Sequence, residues 1–381
     1  MTAVTSEAGE TGTNGGAAEP RGREGRGVPA DYGDARAEYE AVRGGAGCGL
    51  LDLSSRGRVE VSGTEAVQFL NGMVTNDVAA LGEGEWFEAA FPNPQGRLLA
   101  HARVFRRGDS FLFDTEGQTY PVVLRHLERF TLAGDFRVRD LTGETAHLSV
   151  QGAAAAEAVR AVLGAEAAST ARGRVAGAGF GAGTVTVVRA THTGEDGLDL
   201  FAGTGEAAAL WEALTAAGAR PVGADALEVL RVEAGLPRYG VDATEQNVVI
   251  EVVDEAAAVS YTKGCYVGQE IIARIHWRGH VAKKLTGLLL EGGGEVSAGA
   301  RLRGEDGGRE AGRVTSVVHS PRLGSGVALA VVKYDLLAPG TRLRVFEGEE
   351  EICAAEVAAL PLVRGSWHEA EAGGGGAEVR A

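Results

Sequence analysis

Cysteine is scarce in this 381-residue chain: Cys48, Cys265 and Cys353 are the whole set, widely spaced and odd in number. They form no disulfide framework and fit a reducing compartment. Long apolar runs are missing as well. Nothing approaches the roughly 20 residues of a membrane helix, and the opening MTAVTSEAGETGTNGG has no hydrophobic signal segment. The expectation is a cytoplasmic protein without a membrane partner. Positive charge is in deficit, with 37 Lys and Arg against 52 Asp and Glu, a formal net charge of -15. That balance argues against broad non-specific attraction to nucleic acid or anionic membrane. A local basic patch can still hold an anionic small molecule.

Nucleotide and metal signatures are also thin. No GxxxxGK[ST] stretch is present, and GAGFGAGT lacks the strand, turn and helix context of a dinucleotide site. Glycine is in excess, at 58 residues against a usual share of about 7%, so isolated glycines carry little weight. His276 and His280 stand four apart in HWRGH, a spacing that binds zinc on one continuous helix. Gly279 is expected to end that helix first, and no further ligands complete the set, so no metal is expected.

What the chain does have is length for two or three packed domains. Residues 1–30 and 363–381, nearly free of large apolar side chains, read as disordered tails. DARAEYEAVR reads as a first helix, CGLLDLS and GRVEVSG as strands, and Thr64 as the cap of a helix carrying Val67, Phe69 and Leu70. EWFEAAFPNPQGRLLAHARVFRRGDSFLFDT reads as strand, Pro/Gly turn, long strand, hairpin and strand, and QTYPVVLRHLERFT as a helix with Val123, Leu127 and Phe130 at roughly helical intervals. Strands in hairpin-like groups with interspersed helices indicate an α+β body over residues 31–283. From residue 284 to 362 short β segments follow one another between Gly, Pro and acidic turns. A closed antiparallel barrel is expected there, because closure covers the sheet edges.

KGCYVGQE places Cys265 between a glycine and a polar run. The residues alone leave it as a buried hydrophobe, a metal ligand, a reactive thiol or part of a structural turn. No particular histidine is identified as its base. Cys48 and Cys353, with no comparable polar surroundings, read as inert packing residues.

Four stretches in order, GLLDLSSRGRVEVSGTEAVQFLNGMVTNDV, THTGEDGLDL, RVEAGLPRYG and KGCYVGQE, resemble YgfZ-type folate-binding proteins, relatives of the glycine-cleavage aminomethyltransferase (T-protein). The match runs from about Cys48 to Leu360. The resemblance implies an α+β, aminomethyltransferase-like folate-binding body of two intertwined lobes, closed into a ring by a C-terminal antiparallel β-barrel. It implies a bound tetrahydrofolate or related reduced folate, with Glu195 of the TGEDG turn at the pterin and Arg231 at the glutamate tail. Both chemistries suit: a carboxylate accepts from a pterin NH edge and a guanidinium forks a tail carboxylate. Asn76, Asp77 and Tyr239 stand at positions that border such a site.

One departure stands out. Where the T-proteins carry an acidic pair, NPQGRLLAHARV has Ala100 and His101. His101 can serve as a base, yet it does not restore that charge arrangement, so the expectation is a protein that is not an enzyme. The resemblance implies a folate-binding auxiliary factor for iron-sulfur enzymes or their assembly proteins. Lys263, Gly264, Cys265, Tyr266, Gly268, Gln269 and Glu270 form its functional motif, with Lys263 and a helix start favouring the Cys265 thiolate. Cys265 and His101 are the catalytic candidates if it is an enzyme. A folate-dependent aminomethyltransferase is the first alternative. RNA binding through the barrel and Arg274, His276, Trp277, Arg278, Lys283 and Lys284 is the second.

Overall fold

The computed structural model describes residues 28–131, 134–292 and 294–368. Helix α1 (Ala35–Arg43) leads to β1 (Gly49–Asp52), β2 (Gly57–Ser62), α2 (Ala66–Met73), β3 (Trp86–Pro92), β4 (Leu98–Arg107) and β5 (Ser110–Thr115). Next come α3 (Tyr120–Glu128), β6 (Arg137–Asp140), β7 (Thr145–Gln151), α4 (Ala155–Leu163), α5 (Ala165–Ala168), β8 (Val175–Phe180), β9 (Gly183–Arg189) and β10 (Gly197–Gly203). The body ends with α6 (Ala207–Ala216), β11 (Arg220–Pro221), α7 (Ala224–Glu233), α8 (Val249–Val252), α9 (Glu255–Ala258) and α10 (Gln269–Arg278).

Two sheets form the body. One has the order β3-β4-β5-β2-β6 and the other β11-β1-β7-β10-β9-β8. The lobes interlock because β1 leaves the strands next to it in sequence and pairs with β7 and β11. Each sheet buries one face under helices: Leu70, Val123 and Leu127 pack on the first sheet, and Val159, Leu210 and Trp211 on the second. These are the apolar positions of amphipathic helices. The opposite faces meet through Phe105 and Leu112 of the first sheet and Val188 and Phe201 of the second.

The barrel comprises β12 (Lys283–Leu290), β13 (Arg301–Gly304), β14 (Glu310–Ser320), β15 (Ser325–Lys333), β16 (Arg342–Glu347) and β17 (Glu350–Ala358). It closes in the order β12-β15-β14-β13-β16-β17. Inward residues alternate along its strands, as in Leu343 and Val345, and no strand edge is left unpaired. Val232 of α7 seats the barrel against Val327 and Leu329.

Two local expectations need correction. Thr64 does not cap α2: its hydroxyl donates to Asp135, and Glu65 occupies the cap position without a side-chain bond. The tail expected from residue 363 is docked at its start, because unpaired carbonyls and a carboxylate on the body accept from it. Val363 N–H donates to Glu233, Trp367 N–H donates to Gly194, and residues 366–368 are helical. Residues 28–30 of the expected N-terminal tail are docked too, the carbonyls of Pro29 and Ala30 accepting from the N–H groups of Ala224 and Asp225, and residues 1–27 and 369–381 lie outside the described residues.

Candidate functional site

Alternation along β4 sends His101 and Arg103 to one face and the apolar residues between them to the other. That face meets the second sheet, so Arg103 is buried where two strands of carboxylates converge. Its Nη2 lies 2.7 Å from Asp114 Oδ2 on β5, and its Nη1 lies 2.5 Å from Asp199 Oδ2 on β10. Arg56 adds a second guanidinium 2.9 Å from Asp114. His147 on β7 stacks on Phe201 and stands between the two acids, 3.1 Å from Asp199 Oδ2 and 3.6 Å from Asp114 Oδ1. His192, in the turn after β9, reaches Asp199 Oδ2 at 3.0 Å.

Burial opposes ionisation of Asp114 and Asp199, but the guanidiniums outweigh it. Both carboxyls are held well below the usual carboxylate range. Burial pushes the His192 imidazole down, against the pull of Asp199.

At the rim, His101 and Glu88 are each partly exposed. His101 Nε2 lies 3.2 Å from Glu88 Oε2, with about a third of each side chain in contact with solvent. Burial raises the Glu88 carboxyl, and the adjacent His101, with Arg103 and His192 behind, more than reverses that. Ala100 is fully buried and contributes no polar group. Asn76 joins this rim: its amide donates to the carbonyls of Glu88 and Ala257, while Asp77 caps the backbone of Ala79.

The other anticipated residues lie apart from the rim. Glu195 is buried and saturated, with Arg43 Nη1 2.6 Å from Oε1 and the Ser366 N–H and hydroxyl 2.8 and 2.6 Å from Oε2. Trp367 covers the same turn and lays its ring over Arg172. Arg231 is tied to Glu228, to Asp242 at 2.8 Å and to Ser316 at 2.7 Å, at the barrel junction. Tyr239 packs half-buried near Val249 and Tyr266. Among the described residues no hydrogen bond or ion pair joins Glu195, Arg231 and His101 to one another.

KGCYVGQE forms a strap. Lys263 Nζ donates to the carbonyls of Asn71, Val74 and Asn76 at 2.7, 2.8 and 2.6 Å. Burial pushes this ammonium down to about 8. It is thus committed to the loop after α2, while Cys265 is exposed beside it. Tyr266 is buried under the strap, Gly264 faces open space, and Val267 N–H bonds the carbonyl of Gly72. Gly268 caps α10 in the left-handed region, φ 78°. A side chain there would strike the Asn93 carbonyl, so only glycine lets this turn press against the Asn93–Gly96 turn. Gln269 and Glu270 open the helix, and Glu270 pairs with Arg274 on the surface. Farther along, His276 is engaged by Glu255 and Tyr261, and Trp277 is 70% exposed.

Cys48 is buried, and its thiol is pushed up to about 11 by burial; burial likewise raises Cys353. Sequence reasoning passed over Glu88, Arg103, Asp114, His147, His192 and Asp199. Their signal was ionisable residues inside otherwise apolar strands, where burial requires partners.

Comparisons with known proteins identify the class. The body matches the GCVT N-terminal domain over residues 22–259, and the barrel matches the glycine cleavage T-protein C-terminal barrel domain over residues 283–363. The chain belongs to the glycine cleavage T-protein family. It is 33% identical to an aminomethyltransferase of Rubrobacter xylanophilus over 92% of this chain and 91% of the relative. An aminomethyltransferase of Thermus thermophilus is 33% identical, covering 80% and 85% of the two chains. Among solved structures, the glycine cleavage system aminomethyltransferase T of Bartonella henselae shares the fold, with a TM-score of 0.77 and 24% identity over 88% of this chain and 92% of that one.

These relatives overturn the expectation of a protein that is not an enzyme. That expectation weighed the missing acids at residues 100 and 101 and the YgfZ-type motif, whereas relatives named for catalysis match 80–92% of this chain. They support the T-protein family, not specifically its YgfZ-type branch. No helix among the described residues is long and apolar enough to cross a membrane.

Proposed function

We propose that this chain is a folate-dependent aminomethyltransferase. The observation that carries the reading is similarity running through both body and barrel to relatives named aminomethyltransferase. A reduced folate is the acceptor, with Glu195 at the pterin and Arg231 at the tail carboxylate. Each now holds protein partners, so folate binding exchanges some of those contacts for its own. Proton transfer accompanying the reaction falls to His101. Glu88 stands 3.2 Å away and sets a carboxylate beside His101, on the sheet face opposite the buried Ala100. A positioned acid or base contributes typically 10²–10⁴-fold.

The KGCYVGQE strap is where likeness to the YgfZ-type branch is concentrated, and Cys265 is its exposed thiol. A single cysteine cannot enclose an iron-sulfur cluster, so this thiol has no assigned part in transfer. The test compares variants in a tetrahydrofolate-dependent assay of aminomethyl-donor consumption. His101→Ala and Glu88→Gln slow turnover by roughly 10²-fold or more, Glu195→Gln weakens folate binding, and Cys265→Ala leaves the rate near wild type. Unchanged rates in both His101→Ala and Glu88→Gln rule out the assigned base.

A further inference from the structure

We infer that His147, His192 and Asp199 form a binding site for a divalent first-row transition-metal ion at the interface of the two sheets. Each offers one ligand atom, and the three atoms lie within 4.8 Å of one another. Asp199 Oδ2 is 3.1 Å from His147 Nε2 and 3.0 Å from His192 Nε2. Such separations fit the edges of a coordination polyhedron whose metal–ligand bonds are about 2.0–2.2 Å. Two imidazoles and a carboxylate are the donor set of zinc sites and of non-haem iron sites that keep open positions.

A second observation comes from His147 itself. Its side chain is fully buried, yet neither ring nitrogen makes a hydrogen bond of good geometry among the described residues. A buried imidazole in that condition needs an account. Asp114 Oδ1, 3.6 Å from Nδ1, faces the nitrogen remote from the proposed metal. At that distance it makes no hydrogen bond in this structure, and it is placed to serve as the outer carboxylate of a metal-bound histidine once the ring closes on it.

The local charge also suits a cation. Asp114, Asp199 and Glu88 face Arg56 and Arg103, and three carboxylates against two guanidiniums leave one negative charge when the imidazoles are neutral. Arg103 Nη1 already occupies one lone pair of Asp199 Oδ2, which keeps another, and Oδ1, 3.2 Å from His192 Nε2, is left for the ion as well. His192 is 16% exposed in its side chain, whereas His147 and Asp199 are sealed. Open positions therefore lie on the side of the His192 turn, from which an ion and its water enter.

The experiment titrates the full chain, stripped with chelator, with Co²⁺ and Zn²⁺ separately. One Co²⁺ per chain, with d–d absorption of a nitrogen- and oxygen-ligated ion and displacement by Zn²⁺, is expected. His192→Ala weakens binding beyond the roughly 10–100-fold that follows loss of an outer partner, and Cys265→Ser leaves it unchanged. His147→Gln provides a second variant, with circular dichroism to confirm its fold. No stoichiometric binding by the wild type overturns the site. So does equal Co²⁺ affinity in wild type and His192→Ala, or a thiolate charge-transfer band abolished in Cys265→Ser.

Discussion

Replacing Arg103 with Met probes the ion network that joins the lobes. Asp114 and Asp199 are fully buried, and one guanidinium serves both. Each contact is worth about 4 kcal/mol at an effective dielectric near 20 and 4 Å separation, before desolvation is subtracted. In Arg103→Met, Arg56 still holds Asp114. Asp199 keeps only the His147 and His192 imidazoles. Removing one partner of a buried pair costs about 3–5 kcal/mol, and that loss is expected here. Denaturant unfolding followed by tryptophan fluorescence reads it, with Trp86 and Trp211 in the body as reporters. Acid behaviour provides a second readout. Both carboxyls are depressed when folded, so their contribution is present above the unfolded value of about 3.9 and is lost as pH falls through the lower folded values. Arg103→Met moves acid unfolding to higher pH, and Arg103→Met/Asp199→Asn recovers part of the loss. A cost under about 1 kcal/mol, as for surface pairs, together with strict additivity in the double variant, would refute the reasoning.

Three further outcomes follow from the same contacts. Gly268→Ala is destabilising by more than about 2 kcal/mol, since it adds a collision with Asn93 to the left-handed cost of about 1–2 kcal/mol; the denaturant midpoint measures it. Lys263→Met strands carbonyls of the loop after α2, so amide exchange of residues 71–77 accelerates and stability falls by about 1–3 kcal/mol. Ser366→Ala removes a hydroxyl bond to a carboxylate, worth about 1.5–3 kcal/mol. Hydrogen exchange of the Thr193–Gly197 turn then rises while that of the barrel does not.

Much of the fold was legible in the sequence because local chemistry agreed with the final packing. Asp34 caps α1 as its side chain allows, and barrel strands alternate Leu343 and Val345 inward. The α2 cap was misread because Thr64 found a distant partner in Asp135. The stretch from Val363 looked like tail because its order comes from tertiary bonds to Gly194, Glu195 and Glu233, not from apolar content. At the candidate site, residues on one motif were visible and convergent ones were not. His101 stood out as a substitution, but its carboxylate neighbour Glu88 lies across a hairpin, and the register that brings them together appears only in the paired strands. Likewise Asp114, His147 and Asp199 come from separate strands.

The most direct measurement is turnover by the wild-type chain, with an aminomethyl donor present and tetrahydrofolate added or withheld. The predicted result is donor consumption that depends on tetrahydrofolate over many cycles. Saturable tetrahydrofolate binding with no donor consumption would contradict aminomethyl transfer.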